Sequence, residues 1–257
     1  VGDVFQPAGK EEPMPNCPHC GQEMEPGSES CSACGQRLTP PAEPVVSPVA
    51  LEQPQITEVN VGDYFKAGWE LFKKYPAGFV GFFIIIIVIS LALNLVPVIG
   101  VLVGFALISP LNAGFFVVGA KLLKNQTPEF VDFFGGFKLF LPLALLGVVS
   151  SIFISIGLIL LIIPGIYLIV SYLFAIMFVV DRGLDFWPAM ETSRRAVQPV
   201  WFKVFILFLL LFLLNLGGAL LLGLGLLVSV PLSHCILTVA YAEIFGLESA
   251  YTISMSQ

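Results

Sequence analysis

Four of the five cysteines fall in two close pairs near the start of the sequence. Their spacing is Cys17-x2-Cys20-x10-Cys31-x2-Cys34, within "NCPHCGQEMEPGSESCSACGQRL" at residues 16–38. Two Cys-x-x-Cys pairs match the tetrahedral preference of Zn²⁺, each pair supplying one edge of the tetrahedron. Gly21 and Gly35 follow the second cysteine of each pair, where a positive φ lets backbone amides turn toward the thiolate sulfurs. Pro26-Gly27 marks a turn between two short arms. Four sulfurs close the coordination shell, so one Zn²⁺ held this way is structural and not catalytic.

The competing readings are two disulfides or a redox Cys-x-x-Cys. A redox motif belongs in a βαβ setting that this stretch lacks, and a cytosolic arm stays reduced. Zinc is therefore the expected occupant of Cys17, Cys20, Cys31 and Cys34. The short separation between pairs gives a minimal domain that needs its metal to fold. His19 lies inside the first knuckle and is expected to face solvent rather than replace a cysteine.

"CPHCGQ…CSACGQRL" resembles the short zinc-ribbon domain that begins many uncharacterised prokaryotic proteins, often ahead of membrane segments. The resemblance implies zinc binding at residues 14–38 but no particular activity. Nucleic acid is an unsuitable partner. Arg37 stands alone against Glu23, Glu25 and Glu29, and a four-thiolate zinc centre adds further negative charge, opposite to what a phosphate backbone requires. A cytosolic or membrane protein is the expected partner.

The elements that carry this ribbon differ sharply from it. Residues 1–62 hold two basic residues, Lys10 and Arg37, and nine acidic ones. The remainder is nearly neutral, and the whole chain reaches a mean hydropathy of +0.92 with 12% charged residues, about half the share in soluble domains. Residues 1–16 hold neither an apolar nor a basic signal region, and residues 1–13, ahead of Met14, are expected to be a non-structural extension. "TPPAEPVVSPVALEQPQITEVN", residues 39–60, has five prolines, three glutamates and no basic residue. It reads as a semi-extended linker, reaching on the order of 60 Å at about 3.1 Å per residue.

Three apolar blocks follow, near residues 78–120, 139–180 and 201–242. Each is about twice the length that one membrane-spanning helix needs. The expected fold is an all-α membrane protein: six transmembrane helices as three helical hairpins at residues 61–247, with interfacial amphipathic helices, plus the N-terminal zinc ribbon and a tail at 248–257. For "FVGFFIIIIVISLALNL", a dozen or so strongly apolar residues favour insertion by roughly 4–7 kcal/mol, which Ser90 and Asn94 cannot cancel. Lys66, Lys73 and Lys74 precede the first block; Lys121, Lys124 and Lys138 lie between the first two; Arg182, Arg194, Arg195 and Lys203 lie between the last two. The hairpin tips carry no charge. By the positive-inside rule this sets both termini in the cytoplasm, in agreement with a reduced zinc site, and the localisation expected is the prokaryotic cytoplasmic (inner) membrane.

At an offset of 121 residues, Asn94-Leu95, Gly104 and Pro110-Leu111 recur as Asn215-Leu216, Gly225 and Pro231-Leu232, which points to a duplicated hairpin. The middle block keeps only Gly157 and Pro164. Paired Gly/Pro interruptions can mark broken helices at a midplane site; tight packing and a proline kink are the alternative and preferred reading. Each hairpin follows an amphipathic segment. In the first, Asp63, Lys66, Glu70 and Lys73 oppose Phe65, Trp69 and Phe72. In the second, Thr127 is expected to cap a helix with Pro128 at its first position. In the third, Asp185 is expected to cap, with Pro188 in the first turn. Aromatic and basic residues together suit the lipid interface, and Asp63, Asp132 and Asp185 read as anchors rather than catalytic carboxylates.

Residues 139–180 hold no Asp, Glu, Lys, Arg or His, whereas membrane enzymes and ion-coupled carriers keep ionisable groups in their spans. His234 and Cys235 are the candidates at depth, and a lone His beside Thr238 and Tyr241 reads first as a packing residue. No catalytic triad, zinc-protease motif, phosphate loop or paired carboxylates can be assembled. "LLIIPGIYLIVSYLFAIMFVVDRGLDFWPAMETSRRAV" and "GLLVSVPLSHCILTVAYAEIFG" resemble a broad group of uncharacterised prokaryotic integral membrane proteins, related to the membrane domain ahead of some glycerophosphodiester phosphodiesterases. The resemblance implies a helical polytopic fold and not the phosphodiesterase activity. The expected function is a non-enzymatic scaffold or accessory protein whose ribbon binds a protein partner. The alternatives are a transporter or channel for an apolar or uncharged solute, with Asn94, Asn215 and His234 lining the route, and a lipid-related membrane enzyme.

Overall fold

The structure is a computed structural model that describes Cys20, Cys34 and residues 61–95, 97–221 and 223–248. The expected extension at 1–13, the linker at 39–60 and the tail beyond Glu248 lie outside the described residues, as does most of the ribbon. Contacts divide the chain into two units, Val1–Glu52 and Gln53–Gln257. The helices below all belong to the second.

The amphipathic α1 (Val61–Lys74) has Asp63 in its first turn and Lys73 and Lys74 in its last, matching the helix dipole at both ends. Next come α2 (Pro76–Asn94) and α3 (Pro97–Leu123), each opening on a proline, whose missing N–H has no helical partner to lose there. A 3₁₀ segment (Phe130–Leu139) leads into α4 (Phe140–Leu160). Then follow α5 (Ile162–Ser171), α6 (Ala175–Arg182) and α7 (Phe186–Val197), with α8 (Trp201–Leu220) and α9 (Leu226–Phe245) last. No strand occurs among the described residues. Six stretches of them are long and apolar enough to cross a membrane.

Burial alternates along the chain. The spans containing α3, α5–α6 and α9 are the more deeply buried within the protein, and those containing α2, α4 and α8 are mostly exposed at its surface. Three inner helices are thus flanked by three outer ones. Inner and outer neighbours touch as α2 on α3, α4 on α5 and α8 on α9, and α3 also packs on α6 and α9. The inner helices converge on the Tyr241 ring, which meets Phe116 at 5.2 Å, Phe178 at 5.2 Å and Phe174 at 6.3 Å.

The amphipathic segments complete this packing. The 3₁₀ segment lies along α3, α7 lies against α4, α5 and α6, and α1 lies against α9. In a bilayer, lipid tails are as apolar as leucine, so close van der Waals contact rather than burial selects neighbours. Glycines make the approach possible. A Cβ on Gly68 of α1 would sit 2.5 Å from Ile236 Cγ1 and 2.8 Å from its Cα. A Cβ on Gly114 of α3 would collide with the Phe133 carbonyl, and one on Gly136 with that of Pro110.

Several local expectations shift. The protein-facing stripe of α1 is Tyr64, Gly68, Leu71 and Phe72, while Trp69 points outward at 44% exposure; Phe65 and Trp69 flank that stripe because the helix needs a glycine against α9. Thr127 does not cap. Glu129 starts the 3₁₀ segment and its N–H donates to Asp132 Oδ2 at 2.7 Å, since Asp132 is held in place by Lys121. Asp185 caps α7 as expected, accepting from Phe186 N at 2.8 Å. Pro110 and Pro231 both lie inside continuous helices. The interruption falls instead at Tyr172–Phe174, between α5 and α6, and Pro164 sits in the first turn of α5.

Gly68→Leu is expected to separate α1 from α9 and lower stability by about 1–3 kcal/mol, the usual cost of overpacking, whereas Gly217→Leu, with nothing within 4 Å of its Cβ position, leaves it unchanged. Thermal unfolding of both variants in the same detergent checks this.

Candidate functional site

Two of the four expected zinc ligands are described. Cys20 and Cys34, the second cysteine of each pair, both occupy turns and are exposed. Cys17 and Cys31 lie outside the described residues. Turn positions at the surface suit a knuckle whose sulfurs gather on a metal, and four thiolates are a complete donor set for Zn²⁺. When bound, the metal supplies a cross-link between the two arms and no open coordination position. Cys235 is distinct from these, buried within α9. Among the described residues no group of three or more His, Cys, Asp and Glu gathers to hold a metal.

The three polar residues expected to line a route have different partners. Asn94, the last residue of α2, donates to Ser90 O at 2.7 Å and is exposed. Asn215, inside α8, donates to Leu211 O and to Ser233 Oγ, each at 2.9 Å, and accepts from Ser229 Oγ at 3.0 Å. Ser233 Oγ in turn donates to Ser229 O at 2.7 Å. This knot joins α8 to α9 and uses both amide protons and the amide oxygen of Asn215, as interhelical side-chain bonds do in membranes. His234 stacks flat on Phe115 of α3, with ring centroids 4.5 Å apart. Thr238 donates to the His234 carbonyl at 2.8 Å. The repeated Asn-Leu dipeptide therefore has two settings, one at a helix end and one within a helix.

A second polar cluster lies where α3, α6 and α9 end, and sequence reasoning did not identify it. Asp181 and Tyr241 are both wholly buried, and the Tyr241 hydroxyl donates to Asp181 Oδ2 at 3.0 Å. The same carboxylate oxygen accepts from Glu248 N at 3.3 Å. Arg182 donates to Phe245 O at 3.2 Å, stands 3.7 Å from Glu248 Oε1 and lies over the Phe178 ring at 5.2 Å. Nearby, Lys121 pairs with Asp132 at 2.7 Å, both side chains nearly buried. Lys74 donates to Leu122 O at 3.3 Å and Lys124 to Glu248 O at 3.5 Å. In α1, burial raises the Tyr64 hydroxyl above its ordinary pKa, and the Glu243 carboxylate adds to that. The visible signal was Asp181-Arg182 closing an apolar run. Its partner Tyr241 stands 60 residues away, with nothing local to mark it.

This cluster locks helix ends. Charges meet opposite charges, Lys74 meets a carbonyl that ends α3 and Arg182 one that ends α9, and a buried carboxylate receives donors from Tyr241 and Glu248.

Residues 16–38 match the family model of a zinc-ribbon domain. The match implies zinc binding by that segment. No curated protein and no solved structure matches the chain. With six helices long and apolar enough to cross a membrane, the chain is a membrane protein carrying a zinc ribbon.

Two outcomes follow from these sites. Metal analysis of the purified full chain is expected to find one zinc per chain, and almost none in a Cys20→Ser/Cys34→Ser variant with an unchanged helical spectrum. Tyr241→Phe is expected to lower stability by about 1–3 kcal/mol by removing a donor from a buried carboxylate, measured as a shift in unfolding temperature in detergent.

Proposed function

We propose that the chain is a non-enzymatic scaffold of the prokaryotic cytoplasmic membrane, with its ribbon and both termini in the cytoplasm, and that the zinc ribbon binds a cytosolic protein partner. In this reading the pairs α2–α3, α4–α5 and α8–α9 are hairpins that cross and return. The observation that supports it most is the mutual pairing within two polar clusters of the helical body. Asn215 is closed by Ser229 and Ser233, and Asp181 by Tyr241 and Glu248. Groups committed to one another hold helices together rather than bind solute. Pro110 and Pro231 lie in unbroken helices, so neither proline opens an unwound site of the kind transporters use.

The ribbon is the part suited to a partner. It stands ahead of an acidic, proline-rich stretch without a basic residue, a composition that extends and stays off anionic lipid. Its own acidity favours a basic protein surface over nucleic acid.

Crosslinking of the full-length protein in its native membrane tests the assignment, compared with a Cys17→Ser/Cys31→Ser variant of equal abundance. Partners captured by the parent and lost from the variant are the expected result. Identical partner sets would overturn the partner role of the ribbon.

A further inference from the structure

The helical body repeats one packing pattern three times. Each unit has an amphipathic segment, an outer helix and an inner helix: α1, α2 and α3; then the 3₁₀ segment, α4 and α5–α6; then α7, α8 and α9. Each amphipathic segment packs on the inner helix of the unit before it and has little contact with the outer helix it leads into. The 3₁₀ segment lies on α3, and α7 lies mainly on α6. The outer helices, besides meeting their own inner helix, touch the inner helix of the preceding unit, α4 on α3 and α8 on α5. The first unit has no unit before it, and its partner is the last: α1 and α2 both pack on α9. Head-to-tail contacts that return to their start make a closed ring.

The three joints lie at matching places. Gly68 of α1 meets Ile236, nine residues before α9 ends at Phe245. The Phe133 carbonyl of the 3₁₀ segment meets Gly114, nine residues before α3 ends at Leu123. Ser193 of α7 donates to Ser171 O at 2.7 Å, eleven residues before α6 ends at Arg182. Closer to the helix ends, Glu243 of α9 bears on the Tyr64 hydroxyl of α1, and Lys121 of α3 pairs with Asp132 of the 3₁₀ segment at 2.7 Å. Each of these two stands two residues before its helix stops. The middle unit shares the pattern although it has no Asn-Leu dipeptide, so the packing carries the repeat further than the sequence does.

One of the three joints differs from the others. Residues 124–129 tie the 3₁₀ segment to α3, and residues 183–185 tie α7 to α6. No loop ties α1 to α9. The chain holds α1 to the body only through Tyr75 and α2, and on its other side α1 continues into the acidic stretch 39–60 and the ribbon. A segment tethered at one end opens with fewer contacts broken than one tethered at both. We infer that the helical body is a ring of three head-to-tail units closed by α1 on α9, and that this joint, where the ribbon arm enters, is the one that opens. Opening frees the α9 surface around Ile236 and leaves the other two joints closed. The inference rests on contacts within the helical body and not on what the ribbon binds.

Hydrogen exchange of the full-length protein in detergent, read by mass spectrometry and corrected for the intrinsic rate of each amide, tests it. In the parent, α1 is expected to exchange several-fold faster than the 3₁₀ segment and α7. Gly68→Leu is expected to speed α1 several-fold more and leave the other two segments unchanged. Gly114→Leu, at the matching place on α3, is expected to speed α3, the 3₁₀ segment and α4 together. The parent and Gly68→Leu decide the outcome even where Gly114→Leu does not assemble. Protection of α1 equal to that of the other two segments would overturn the inference. So would a Gly68→Leu effect on all three joints at once, which makes the body a single cooperative unit, or none on α1, which denies the contact with α9.

Discussion

A hydrocarbon interior offers no hydrogen bonds, so every polar group that enters it must bring its own partner. The helices meet this demand for the backbone. Side chains meet it between helices at the Asn215–Ser229–Ser233 knot of α8 and α9, at the Asp181–Tyr241 bond of α6 and α9 and where Ser193 of α7 donates to Ser171 O of α5. These bonds join separate helices. Apolar residues have as much to gain from lipid as from protein, so specificity falls to polar pairs and to glycines that let backbones touch. The inner position of α9 follows from this. It carries Ser229, Ser233 and Tyr241, and it receives α1 at Gly68.

The same constraint accounts for the cluster where α3, α6 and α9 end. At the charged end, water and opposite charges are at hand, and lysines and arginines settle on helix-ending carbonyls and carboxylates. The ribbon meets the opposite problem. A domain of its size has little apolar surface to fold on unaided, and the zinc that its family match implies would cross-link its two arms when bound.

Much of this was legible in the residues. The span count follows from block length, because insertion energy adds along a run of leucines and isoleucines regardless of which neighbour each one meets. Asp185 was recognisable as a cap because capping is local. The Asp181–Tyr241 bond was not, because its partners lie on different helices and a tyrosine in an apolar run also reads as packing. The recurrence of Asn94-Leu95 as Asn215-Leu216 was visible, but the environments were not. One asparagine closes its helix and bonds back to Ser90, while the other lies inside α8 opposite two serines that the sequence does not align with it. Thr127 misled because a Thr-Pro start is a sound local signal, overridden by the pairing of Asp132 with Lys121.

We propose that all polar function lies on one face of the membrane. The twelve lysines and arginines make trypsin its most direct test, applied to sealed vesicles of each orientation. Cleavage is expected from one face alone, in the ribbon arm, in the loop at Lys124 and in the last turn of α7 at Arg195, with the protein intact when trypsin meets the other face. A fragment produced from both faces, or a ribbon cut from one face and a body cut from the other, would contradict it.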